Sequence, residues 1–381
     1  MSAPTVEAAR ALRPLIRAAR QEIDDGQTVP RHLVDALRDI GIWRMTQPRA
    51  WGGPEVDLVS QFEIIEALAE ADGSVGWVAY IGSASGYYTA YLDDAAGREL
   101  YPDLDLITGG SPLPRGTAVA VDGGYRFTGQ WPFGSGVCHS DYMVSGCVVV
   151  DDDGNPKVDA SGIPEAVVGF LPASEVKIIY NWNTLGLRGT GSHDYAAEDA
   201  FVPSKWTFSL GSPLRRAGAL YSMPNMLQLG HSAIPLGLAR AAIDEAGQIL
   251  RSKTAVFTGV KLAESGIVRD AVARAETMVE AARSLCLQTF AGITDTIERG
   301  EKLSVRQRAM FRLAIAHAHE SGVEAIRLVT RHVGTGAVRT PGIIERALRD
   351  AVTAGQHNVA SPAVYESAGA MFLGSPPPPM F

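Results

Sequence analysis

From residue 220 onward the helical period sets in and does not lapse. Residues 234–250, 268–299, 305–333 and 343–354 each space apolar side chains along one helix face, and the joins between them are short. Four long amphipathic helices connected this way must bury their faces on one another, which predicts a bundle. Ser304-Val305-Arg306-Gln307 has the form of a capping box at one helix start. Gly334-Thr335-Gly336 and Thr340-Pro341-Gly342 interrupt the last two helices. Ala and Leu positions between 268 and 333 extend beyond a single stripe, which predicts burial on two sides.

Two other textures precede the bundle. Residues 6–101 are also helical in pattern. Pro30 suits a first turn before the apolar spacing of 29–38, and Gly41 suits a stop. Residues 58–71 place Phe62, Ile65, Leu68 and Ala69 on one face; Asp72-Gly73-Ser74 breaks that helix, and 75–92 is expected to be a single deep-packing helix. The pattern then turns to strands. Val119 to Thr128 reads as two strands around Asp122-Gly123-Gly124, followed by strands at 142–150, 167–171, 176–180 and 195–202. The fold class is therefore α+β: an N-terminal helical domain (1–106), a middle antiparallel β domain (107–212), and a C-terminal four-helix bundle (213–381) ending in the extended tail 376–379.

Composition narrows the function. The chain of 381 residues carries a formal net charge of −8 and no long Lys/Arg run, which argues against nucleic acid. No apolar run approaches the ~20 residues of a membrane span, and no apolar leader opens the chain. Cys138, Cys147 and Cys286 are few and widely spaced, which predicts neither a disulfide framework nor a zinc site and suits a reducing cytoplasm. His317 and His319 stand two apart on one helix, so a metal pair is not expected.

Four motifs in order carry a resemblance. They are Glu66-Ala67-Leu68-Ala69-Glu70-Ala71-Asp72-Gly73-Ser74-Val75-Gly76-Trp77, then Gly129-Gln130-Trp131-Pro132-Phe133-Gly134-Ser135-Gly136, then Leu185-Gly186-Leu187-Arg188-Gly189-Thr190-Gly191-Ser192, and Gly237-Leu238-Ala239-Arg240. Together they resemble the acyl-CoA dehydrogenase superfamily over nearly the whole chain. In the dehydrogenases an Arg-Asp pair is followed, eight residues after the Asp, by the Glu that removes the substrate α-proton. Here Arg349-Asp350 is followed at that place by Asn358, preceded by His357. An amide is no base near neutral pH. The Trp-Pro-Phe-x-Ser-Gly form and the C-terminal His resemble instead the two-component flavin monooxygenases of the superfamily.

That resemblance implies reduced FMN or FAD, with FMN slightly favoured, supplied by a separate flavin reductase. O2 is the co-substrate. Oxygen would pass from a C4a-hydroperoxyflavin to an aromatic, polycyclic or natural-product molecule. A cytoplasmic homotetramer is implied as well. His357 is expected to act as base on a substrate hydroxyl or to bond the peroxide, because imidazole titrates near working pH. Ser135 is expected at the flavin N5/C4a edge. Trp131, Phe133, Gly136, Thr190, Ser192 and Arg251 are candidates for flavin contact, with Lys253 beside Arg251. The backbone of 131–136 is expected to donate to the ring. Tyr87, Tyr88 and Asn358 are candidates for substrate contact. His139 and Asp141 are expected in local turn roles. Two rival readings stay open: a true dehydrogenase with a displaced base at Glu66, Glu70 or Glu366, and a non-catalytic scaffold.

Overall fold

The computed structural model describes residues 3–160, 162–256 and 259–378. Pro379, the end of the expected extended tail, lies outside the described residues, and 375–378 carry no regular structure.

The described residues of the N-terminal unit form the α-helices α1 (Val6–Ala11), α2 (Arg13–Ala18), α3 (Arg20–Gly26), α4 (Arg31–Asp39), α5 (Leu58–Ala71), α6 (Gly73–Gly82), α7 (Ser85–Thr89) and α8 (Asp94–Leu100). Gly41 stops the α4 segment in the left-handed region at φ 85°. Asp57 caps α5, and Asp72 caps α6 by accepting from Ser74 and Val75 N–H. The expected single helix over 75–92 is two, α6 and α7, parted at Ser83–Ala84. Thr46 threads between them: its side chain donates to the Ser83 carbonyl and accepts from Gly86 N–H. A long-range side chain thus replaces helix hydrogen bonds where no Pro marks a break.

The middle sheet contains β1 (Thr108–Val121), β2 (Gly124–Trp131), β3 (Tyr142–Val150), β4 (Ala166–Pro172), β5 (Lys177–Ile179), β6 (Asp194–Pro203) and β7 (Thr207–Phe208), in the order β5-β6-β2-β1-β3-β4-β7. The hairpin at Asp122–Gly123 forms as expected. The sheet is mixed, however, and not wholly antiparallel, because β1 and β3 run parallel. Residues 132–141 carry the chain from β2 across to the far side of β1. A crossover of that length permits parallel pairing, which a tight turn does not.

The bundle follows as α9 (Ala233–Ser252), α10 (Gly266–Glu298), α11 (Val305–Val333) and α12 (Ile343–Ala354), with the Ser304–Gln307 capping box in place. A fifth helix, α13 (Ala363–Phe372), packs on α11 and extends the expected four. One apolar core runs continuously from the N-terminal helices into the bundle, through Phe62, Phe290 and Phe311 with neighbouring centroids 5.8 Å apart. A second core fills the sheet around Phe127, Trp131, Met143 and Tyr195. Among the described residues no helix is long and apolar enough to cross a membrane.

Candidate active site

The two residues singled out for chemistry, Ser135 and His357, meet across one indole. Trp77 on α6 donates from Nε1 to Ser135 Oγ at 3.1 Å. The same ring stands edge-on to His357, with centroids 5.8 Å apart at 71°. His357 in turn stacks on His231 at 4.2 Å and 25°. Trp77 and Tyr80 close on His231 edgewise at 4.8 and 5.1 Å. His319 of α11 and Arg312 border this group.

Burial sets the protonation of the group. It lowers His357 to about 4, helped by Arg312, and lowers His319 to about 3, helped by His357. His231 is held well below 6.5 by burial and then by His357. The expectation that His357 titrates near working pH therefore changes: the ring is neutral. Its Nδ1 accepts a long bond, 3.4 Å, from Val359 N–H. That tautomer leaves the proton on Nε2, which makes the free nitrogen a donor.

Ser135 heads a buried line of hydroxyls. Its Oγ lies 2.7 Å from Ser192 Oγ, which lies 2.7 Å from Thr190 Oγ1, which donates to the Leu187 carbonyl at 2.8 Å. Trp182 Nε1 donates to the same carbonyl at 2.9 Å. Leu187 adopts φ 52°, and its own N–H is held by Asp350 Oδ1 at 2.6 Å. Asp350 is raised above the usual carboxylate range by burial and by Asp72 beside it. Arg346 of α12 bridges Asp24 at 2.8 Å and Asp72 at 2.9 Å. Asp72 caps the helix that carries Trp77, and α12 leads into His357. Asp350 and Arg346, one turn apart on α12, thus tie the Leu187 segment and the helix that carries Trp77 to the element that leads into His357.

The remaining candidates divide. Phe133 is 66% exposed at φ 63°, with Trp182 edge-on at 6.2 Å. Trp131 is fully buried in the sheet, stacked on Tyr195 at 5.3 Å, with Nε1 donating to the Gly146 carbonyl. Its side chain holds the strand and presents no surface to a ligand. Three of the backbone donors expected from this segment are occupied: Gly134 N–H goes to His193 O, Ser135 N–H to Phe133 O and Gly136 N–H to Thr190 O, each at 2.9 Å. Tyr87 is buried and donates to Gln61, and Tyr88 packs on Phe208, so neither joins the Ser135–His357 group. Asn358 and Arg251 are exposed, and Lys253 caps α11 through the Val333 carbonyl. His139 bonds Thr28 and Asp141 accepts from Ile107 N–H, so both side chains tie in remote segments and do not serve the local turn expected of them. Among the described residues no group of three His, Cys, Asp or Glu is placed to hold a metal.

The rival bases are engaged elsewhere. Glu66 pairs with Arg283 at 2.9 Å and Glu70 with Arg13 at 2.6 Å, while Glu366 is exposed. Sequence reasoning missed His231, His319 and the linking role of Trp77. Trp77 lay inside a quoted motif; His231 sits in a 3-10 segment, Pro224–Ser232, with no local signal of its own.

Comparison with known proteins gives the family. The family description "Acyl-CoA dehydrogenase, N-terminal domain" matches residues 7–99 and "Acyl-CoA dehydrogenase, C-terminal domain" matches 229–362. An indole-3-acetate monooxygenase from Pseudomonas putida is 31% identical over 371 residues, covering 95% of this chain and 92% of its own. The chain belongs to the flavin-dependent monooxygenase branch of the acyl-CoA dehydrogenase superfamily. An FADH2-dependent resorcinol hydroxylase oxygenase component from a Rhizobium species is 26% identical, covering 90% of this chain and 87% of its own. The crystal structure of 3-HSA hydroxylase from Rhodococcus sp. RHA1 superposes with a TM-score of 0.90 at 27% identity, covering 98% of both chains. The expected fold and enzyme class hold.

Proposed function

We propose that this chain is the oxygenase component of a two-component system, taking reduced FMN or FAD from a separate reductase and inserting one atom of O2 into an aromatic small molecule. The observation that carries the reading is the joining of Ser135 and His357 through Trp77. The local chemistry fits a flavin. An exposed phenyl ring held in a left-handed backbone, with an indole at its edge, suits a flat heteroaromatic system. The adjacent line of hydroxyls suits its polar edge. When bound, reduced flavin with O2 supplies the oxygen-transfer chemistry.

The chain's own residues then have definite tasks. Phe133 and Trp182 would hold the flavin ring by their aromatic faces. Ser135 Oγ, steadied by Trp77, would bond the N5 edge. His357, neutral and protonated on Nε2, would offer a hydrogen-bond donor beside it; the tautomer favours this over removal of a substrate proton. Buried His231, Trp77 and Tyr80, with half-buried His357 stacked on them, keep water away, which an oxygenase needs to avoid wasting reduced flavin as hydrogen peroxide. We also propose a homotetramer. Val256, Val260 and Ile267 are exposed around the α9–α10 join, and α10 continues from there, which supports association of that region with a second copy.

His357→Ala tests the reading. Reduced flavin binding and fold should persist, while product formed per flavin oxidised falls by ~100-fold or more and hydrogen peroxide appears instead. Product yield is to be measured on a panel of phenols and indoles, with thermal unfolding in parallel. Unchanged coupling in a folded variant would remove His357 from the chemistry.

A further inference from the structure

We propose that Thr190 and Ser192 make this site select reduced over oxidised flavin, by fixing the direction in which Ser135 holds its proton. The inference rests on the reading that Ser135 faces flavin N5.

The argument is a count of protons. Thr190 has one hydroxyl proton, and it goes to the Leu187 carbonyl. The 2.7 Å contact between Thr190 and Ser192 must therefore use the proton of Ser192. The 2.7 Å contact between Ser192 and Ser135 must then use the proton of Ser135. Trp77 Nε1 can only donate, and it fills one lone pair of Ser135 Oγ. Ser135 is left with acceptor capacity and no proton to give. Reduced flavin carries N–H at N5 and needs an acceptor. Oxidised flavin carries a bare nitrogen there and needs a donor.

Turning Ser135 into a donor gives up one bond of the line: either Ser135 releases Ser192, or all three hydroxyls rotate and Thr190 lets go of the Leu187 carbonyl. That carbonyl cannot follow, because Asp350 pins the same residue through its N–H. Thr190, Ser192 and Ser135 are 1%, 4% and 8% exposed, so water does not replace the lost bond. The Leu187 carbonyl keeps Trp182, so the penalty is one buried hydrogen bond. Net bonds of that kind correspond to a preference of roughly threefold to tenfold.

The test is a pair of dissociation constants, for oxidised and for dithionite-reduced FMN and FAD, measured anaerobically on the full chain. The wild type should bind the reduced form more tightly. Thr190→Val removes the proton sink, and Ser192→Ala breaks the line one step earlier. Each should shrink the preference by roughly threefold to tenfold, and lower the midpoint potential of bound flavin by about 15 to 30 mV. Thr190→Ser keeps the hydroxyl and should keep the preference. An unchanged ratio in folded Thr190→Val and Ser192→Ala overturns the proposal. So does a shift in Thr190→Ser as large as that in Thr190→Val. If Thr190→Val does not fold, Ser192→Ala decides alone. A wild type that binds neither flavin form sinks both this inference and the functional reading; a wild type that prefers reduced flavin, with unmoved variants, sinks only this one.

Discussion

Lowering the pH should strip stability from this protein chiefly through the buried histidines, and His319 isolates the effect. Its pKa in the fold is about 3 and that of His357 about 4, against 6.5 for an unburied ring. A depressed folded value means that the unfolded chain binds the proton first, so stability is full above 6.5 and is lost as pH falls. At pH 5 the unfolded rings are almost wholly protonated and the folded ones are not. Each then costs roughly 2 kcal/mol, and at pH 7.5 each costs about 0.1 kcal/mol or less. His231 acts in the same direction. Asp350 opposes them, since its raised value costs stability as pH rises. A difference measurement removes that opposition. Urea unfolding of wild type and His319→Gln at pH 7.5 and pH 5.0 should show the variant losing about 2 kcal/mol less over the interval. Equal losses in the two proteins would mean that His319 is not held neutral by burial, and the account of the whole histidine group would fail with it.

Two further outcomes follow from the packing. Gly186→Ala would place a Cβ 2.2 Å from the Arg349 carbonyl oxygen and 2.6 Å from Asp350 N, both backbone atoms. It should cost about 1–3 kcal/mol by calorimetry and weaken reduced-flavin binding at least tenfold, because residues 185–191 are pushed off α12; normal binding would show that the Leu187–Asp350 anchor does not hold the flavin side of the site. Light scattering at micromolar concentration should give a mass near four times the 40.5 kDa chain, and a monomer would remove the case for association through the α9–α10 region.

What was legible in the sequence followed physical range. The bounds of α11 and α12 were readable because a 3.6-residue period repeats over many turns and ends at Gly or Pro. Strand positions were readable from alternation, but alternation does not encode the direction of a partner, so the parallel β1–β3 pair was not. The α6–α7 break was hidden because its cause is Thr46, remote in the chain. His357 was proposed from its spacing after Asp350, and Ser135, Thr190 and Ser192 from Gly-rich motifs, each a short-range signal; the structure brings the three hydroxyls into one line. The stack of His231 on His357 is a tertiary contact between two segments that carry no joint pattern. Trp131 stood in a motif that offered it as a flavin contact, and its indole instead fills the space that Gly116 and Gly129 leave inside the sheet.

The loss of the dehydrogenase base and the direction of the hydroxyl line make sense together. A dehydrogenase must hold oxidised flavin beside a carboxylate that takes a proton. Here the carboxylates near the site are committed to structure. Asp350 holds Leu187 N–H, and Asp72 caps α6 and meets Arg346. Glu66 is pushed up to about 6 by burial, against the pull of Arg283, and stays locked to that guanidinium away from Trp77. In place of the base stands a neutral imidazole whose free nitrogen donates, and Asn358 beside it is exposed. Restoring a carboxylate with Asn358→Glu would therefore add an exposed group, while on the proposed reading Ser135 would still present an acceptor to N5. On the proposed reading, a site built this way is matched to flavin that arrives already reduced, and converting it to a dehydrogenase site would require reversing the hydroxyl line as well as restoring the base.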